Sequence, residues 1–85
     1  MEIRARQKNG IIILDLFDRI DVDAANLIEV VGQCIRDGYN DILCNFEEVE
    51  FIDYMGISVI VIAYKEVANH QGRMKFMNIP AHLKG

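Results

Sequence analysis

Hydroxyl side chains are almost missing from this sequence. It has no threonine, and Ser58 is the only serine. Outside three tyrosines, only one position can serve as a nucleophilic or phosphate-accepting alcohol. Tryptophan is absent and proline occurs once, at Pro80. No proline-rich linker, internal repeat or low-complexity segment interrupts the chain. The two cysteines, Cys34 and Cys44, both lie in apolar segments. They read as buried thiols of a reduced, cytoplasmic protein; a disulfide or a metal pair is the alternative. Basic residues are also short: nine Lys and Arg face 13 Asp and Glu, for a net charge of −4. Nucleic acids and anionic membranes need the opposite balance. No apolar run approaches the ~20 residues of a membrane span. Glu2, Arg4 and Arg6 break up the start, so no leader pattern is read there. No glycine-rich phosphate loop and no nucleophile beside a base is seen, so no cofactor and no enzymatic activity are expected.

Apolar residues, by contrast, are plentiful. They make up 52% of the 85 residues. The length implies one domain, 1–85. A domain this small buries roughly 60% of its unfolded surface. The apolar share therefore supplies a core and leaves apolar surface over for a partner.

Residues 2–7 alternate in polarity, as an edge strand does. Asn9-Gly10 follows, the strongest short hairpin signal. Residues 11–17 form a second, antiparallel strand. Its run Ile11, Ile12, Ile13, Leu14 is apolar on both faces, which predicts a central strand covered on both sides. An acidic turn at 18–23 comes next, where Asp21 or Asp23 can cap a helix starting near 22–24. Ala24, Leu27, Ile28, Val31, Cys34 and Ile35 recur at helical spacing, and Gly38 marks the stop. Residues 40–46 read as a third strand, parallel to the second because a helix connects them. Residues 47–53 read as a loop.

Residues 56–71 carry conflicting signals. Ile57, Val59, Ile60, Val61 and Ile62 have strand propensity. The stretch is too long for one strand, however, and Ile57, Ile60, Val61, Tyr64, Val67 and Ala68 fit helical spacing. A helix also supplies the crossover to a fourth strand at 73–79, which Pro80 ends. Residues 81–85 look like the start of another helix. The result is an α/β fold: a four-stranded mixed sheet, β-β-α-β-α-β, with crossover helices.

The stretch 49–65 organises the rest. Asp53 can accept bonds from the free N–H groups of the helix after it, and Gly56 lets the backbone approach a neighbour or a partner. The segment Phe51-Ile52-Asp53-Tyr54-Met55-Gly56-Ile57 resembles the apolar-Asp-Ser-Ser-Gly-apolar turn of the STAS domain, the fold shared by bacterial anti-sigma factor antagonists. Phe17-Asp18-Arg19-Ile20-Asp21 resembles that family's first acidic turn, and Tyr64-Lys65 and Gly72 also fall where the family has them. The resemblance covers essentially the whole chain.

It implies a non-enzymatic regulatory domain that docks a protein, an anti-sigma factor or a related kinase-like protein. The implied contact residues are Asp18, Asp21, Asp23, Asp53, Tyr54, Met55, Gly56 and Ile57. Two departures stand out. The phosphate-accepting serine of phosphorylated members is Met55 here, so the usual switch is missing. Ser58 lies about one turn into the helix and reads as a small packing residue. Family members also carry a further helix after the fourth strand, packed on the sheet, so either the domain is shortened at its end or another chain covers that surface. A STAS scaffold or transporter-associated module, acting through homodimerisation, is the alternative. The acidic residues near the strand ends could instead form a metal pocket, as in receiver domains. Capping and solubility explain most of them, and His70 and His82 stand alone, so no metal site is expected.

Overall fold

The computed structural model describes residues 1–83. Strand β1 (Ile3–Lys8) turns at Asn9 and Gly10 into β2 (Ile11–Ile20). Both turn residues have positive φ, 54° and 81°, which a two-residue hairpin loop matching strand twist requires. β1 and β2 pair antiparallel from Lys8↔Ile11 to Ile3↔Leu16. A 3-10 turn at Val22–Ala25 leads into α1 (Asn26–Arg36). Asp21 caps this turn, accepting a bond from the Asp23 N–H at 3.0 Å. The tight first turn replaces the α-helical start expected at 22–24. β3 (Asp41–Ile52), α2 (Tyr54–Asn69) and β4 (Arg73–Met77) complete the order. The sheet runs β1-β2-β3-β4, with β2, β3 and β4 mutually parallel. The expected topology and mixed sheet are therefore present, and residues 57–64 are helical despite their β-branched side chains.

Three boundaries differ from the sequence reading. β2 does not stop at Phe17 and β3 does not stop at Phe46. Irregular pairing between Asp15 and Phe17 and between Asp18 and Arg19 lets the two strands continue together to Ile20↔Ile52. Asp18 adopts φ 66°, a left-handed conformation that Asp tolerates better than most residues. The predicted loop at 47–53 is thus mostly strand: Val49 is buried while Glu47, Glu48 and Glu50 are exposed. Conversely, β4 ends at Met77, because Asn78 turns left-handed (φ 56°) before Pro80 is reached. Ala81–Leu83 forms one 3-10 turn; the helix expected over 81–85 otherwise lies outside the described residues.

The helices cover one face of the sheet. Leu14, Leu16, Ile20 and Ile42 are fully buried there against Leu27 and Val31 of α1 and Val67 of α2. The expectation that β2 is covered on both sides fails for the other face. Ile13 is shielded by its ladder neighbours Arg6 and Leu43, but Ile11 is exposed, and no described element packs over it.

That second face is pinned by polar contacts. Asn45, the one buried polar residue among those described, donates to Asp15 at 2.8 Å and accepts from Asn78 at 2.9 Å. Asp15 also pairs with the Arg6 guanidinium at 2.8 Å. Arg6 holds the Asp15 carboxyl below its usual range, outweighing the upward push of burial, with Asn45 helping. Stability from this pairing is present above the unfolded carboxyl pKa, near 4, and is lost as pH falls through the lower folded value. Asp15→Asn should therefore lower the melting temperature by a few degrees at pH 7 and by less at about pH 3, below the usual carboxyl range. Thermal melts of both proteins at the two pH values check this.

Candidate functional site

The carboxyl ends of β2 and β3 bring the two acidic segments together. The Asp53 N–H donates to the Ile20 carbonyl at 3.2 Å, tying the end of β3 to the end of β2. Asp53 then caps α2: its extended backbone precedes the helix, and its Oδ1 accepts from the Gly56 N–H at 2.9 Å. Such a cap contributes about 1 kcal/mol. The first turn of α2 carries no acidic side chain, so its positive dipole end is offset only by the cap.

Gly56 is buried. A Cβ on it would lie 1.8 Å from the Ile20 carbonyl oxygen. The close approach is thus to a neighbour within the domain, and Gly56 presents no surface of its own to a partner. It sets the height at which the turn sits on the sheet. Around it the other turn residues point outward. Tyr54 is 87% exposed, Met55 53% and Ile57 51%. Tyr54 is therefore a free ring on the surface, and the Met55 side chain stands at the helix start.

Of the acidic residues, Asp18 and Asp23 are exposed. Asp21 is committed locally: it caps the 3-10 turn and approaches Arg19 at 3.5 Å. Arg19 and Phe51 lie inside the two turns expected to dock, 18–23 and 51–57, though neither is among the contact residues named from the sequence. Arg19 lies over the exposed Phe51 ring, 4.4 Å from its centre, beside the turn. Only the continued β2–β3 ladder makes these two neighbours, and the acidic run around Val49 concealed it.

From the turn, an apolar stripe runs along α2. Ile57, Val61 and Tyr64 are exposed and share one flank of the helix, by their spacing of four and three. Tyr64 stacks on Phe76 of β4 with ring centres 6.4 Å apart, and Phe76 meets Phe46 edge-on at 5.8 Å. Among the described residues nothing covers this flank. Ser58 is exposed too, and its hydroxyl donates to the Tyr54 carbonyl at 3.1 Å. It is a surface residue bonded to its own helix, and not the packing residue that spacing predicted.

Other candidate chemistry finds no common place. Cys34 and Cys44 are free and buried; burial pushes the Cys44 thiol up to about 12, far from a reactive thiolate. Among the described residues, no three His, Cys, Asp or Glu side chains converge to hold a metal. His70 and His82 each bond a backbone carbonyl, of Glu66 and Glu50. Among the described residues, no helix is long and apolar enough to cross a membrane.

A comparison of the sequence with curated proteins finds no match. Solved structures do match. The anti-sigma factor antagonist SpoIIAA in its unphosphorylated form superposes with a TM-score of 0.77 at 20% identity, over 98% of this chain and 78% of that one. The phosphorylated form of SpoIIAA, a Bacillus cell fate determinant, gives 0.76 at 20% identity over the same shares. TM1081 of Thermotoga maritima, provisionally named an anti-sigma factor antagonist, gives 0.80 at 22% identity, over 93% of this chain and 69% of that one. At these identities the likeness is one of fold. The sequence itself goes further, because the model of the STAS domain matches residues 2–84. With the mixed sheet, the capped turn and α2 all in place, the chain belongs to the STAS domain family.

Proposed function

We propose that this chain is an anti-sigma factor antagonist: a cytoplasmic, non-enzymatic domain that docks a kinase-like anti-sigma factor without a phosphoserine switch. Docking uses Tyr54, Met55 and Ile57, flanked by Asp18 and Asp23, and sequesters the partner so that its sigma factor is released. Asp53 and Gly56 build the turn, and Asp21 holds the neighbouring one. The observation that carries this reading is Met55, exposed at the start of α2 where phosphorylated family members have their acceptor serine. A phosphate there adds about −2 charge and repels an acidic surface. Methionine instead presents an uncharged, adaptable side chain, suited to a permanently available contact. The partner is then regulated by the abundance of this domain or by another protein.

Incubation with the ATP-fed partner kinase, followed by intact-mass measurement, tests the missing switch. The mass should stay unchanged, while Met55→Ser should gain one phosphate and so prove the kinase active. A stoichiometric adduct on the unaltered chain would overturn the reading.

The exposed stripe Val61–Tyr64–Phe76 favours one alternative, a STAS scaffold or transporter-associated module that acts as a homodimer. Sedimentation at micromolar concentration separates the two: a clean monomer excludes the scaffold dimer.

A further inference from the structure

The face of the sheet opposite α1 and α2 has its own charge pattern. Its ladder rows read Arg6–Ile13–Leu43–Lys75 and, one step nearer the hairpin, Lys8–Ile11–Asp41–Arg73. Cations thus stand on both edge strands, while the two central strands carry mainly apolar side chains between them. The chain as a whole has a net charge of −4, so this concentration of positive charge runs against its average. Arg6 is paired with Asp15, but among the described residues Lys8, Arg73 and Lys75 make no ion pair. Two shallow clefts of about 190 and 340 Å³ lie here and share Ile11 and Leu43. Ile11 is exposed, and Leu43 and Met77 are half-buried.

We propose that this face docks an amphipathic helix of a partner protein whose apolar stripe is flanked on both sides by acidic residues. The dimensions fit. β1 and β4 are three strand spacings apart, about 14 Å, and a helix with its side chains is about 10–12 Å across. Laid along the strands, such a helix rests its apolar stripe on Ile11, Ile13 and Leu43. Its acidic flanks then meet Lys8 on one side and Arg73 and Lys75 on the other. The two ladder rows lie about 7 Å apart along the strands, so a little over one helical turn reaches from one to the other. A second copy packed face to face is disfavoured, since its cations would meet these cations. The site lies across the sheet from the turn at Tyr54, so it is independent of the proposed anti-sigma contact.

The probe is a synthetic helical peptide of about fourteen residues, with a leucine stripe and glutamates on both flanks. Titrated into the isotopically labelled full chain, it should shift the amide signals of Ile11, Ile13, Leu43 and Lys75. The double variant Lys8→Glu, Lys75→Glu alters exposed side chains and should remain folded by circular dichroism. It should bind at least about tenfold more weakly, as expected when charged contacts at an interface reverse sign. Four results would each overturn the proposal: equal affinity for a lysine-flanked peptide of the same stripe, signal shifts confined to α2, absence of binding at millimolar peptide, or a dimer of this chain abolished by the double variant. Binding to phosphatidylglycerol vesicles with none to the peptide would also overturn it, by assigning the face to a lipid surface.

Discussion

Gly56→Ala should cost the domain about 3 kcal/mol or more, the range of severe overpacking. The added methyl would lie 1.8 Å from the Ile20 carbonyl oxygen and 2.5 Å from its carbon. Neither atom is the end of a flexible side chain. Ile20 is itself fully buried, and its carbonyl already accepts the Asp53 N–H that ties β3 to β2. Relief requires α2 to lift from the sheet, which would also pull Val59 and Ala63 out of their contacts. For a domain of this size each kcal/mol lowers the melting temperature by about 4–8 °C, so a fall of about 12–24 °C is expected. Calorimetry or circular dichroism reads it directly. A fall of only a few degrees would mean that α2 does not sit on Ile20 as described. Gly56→Glu is worse for the same reason. A loss of partner binding in that variant would report a broken fold and say nothing about the contact surface.

The crossover topology was legible because its punctuation is chemical. Asn9-Gly10 demanded a hairpin, Asp53 a helix start, and the long gap between Gly56 and Gly72 a crossover and not a strand. β-branched residues at 57–62 misled only local propensity; tertiary packing of Val59, Ala63 and Val67 against the sheet overrode it. What the sequence hid was register. A left-handed Asp18 and irregular pairing carry β2 and β3 several residues beyond where alternation fails. That extension makes Arg19 and Phe51 neighbours and places the acidic turn of β2 against the turn before α2. Periodicity cannot signal a bulge, because the extra residue breaks the period it relies on. Exposure was the other gap. Apolar spacing grouped Ile57, Ile60, Val61, Tyr64, Val67 and Ala68 on a helix, but spacing alone does not say which flank meets the sheet, and the buried one runs through Gly56, Val59, Ala63 and Val67.

Met55→Glu should separate the contact surface from the fold, because its two effects have opposite signs. The side chain is half exposed and stands in the first turn of α2, which has no acidic residue of its own. A carboxylate there favours the positive end of the helix dipole by about 0.3–1 kcal/mol, so stability should hold or rise slightly. Binding to the proposed anti-sigma partner should fall at least about 100-fold, because a charge at the centre of an apolar contact must be desolvated without a partner. Tyr54→Ala should weaken binding for a different reason, the loss of a ring exposed almost completely in the free domain, again without thermal cost. Titration calorimetry with the partner, run beside thermal melts, reads both quantities. Unchanged affinity in both variants would sink the docking surface at Tyr54–Ile57. Loss of affinity only together with a lowered melting temperature would show that the effect passes through the fold. Loss with the melting temperature held or raised places the two side chains against the partner, which is the expected result.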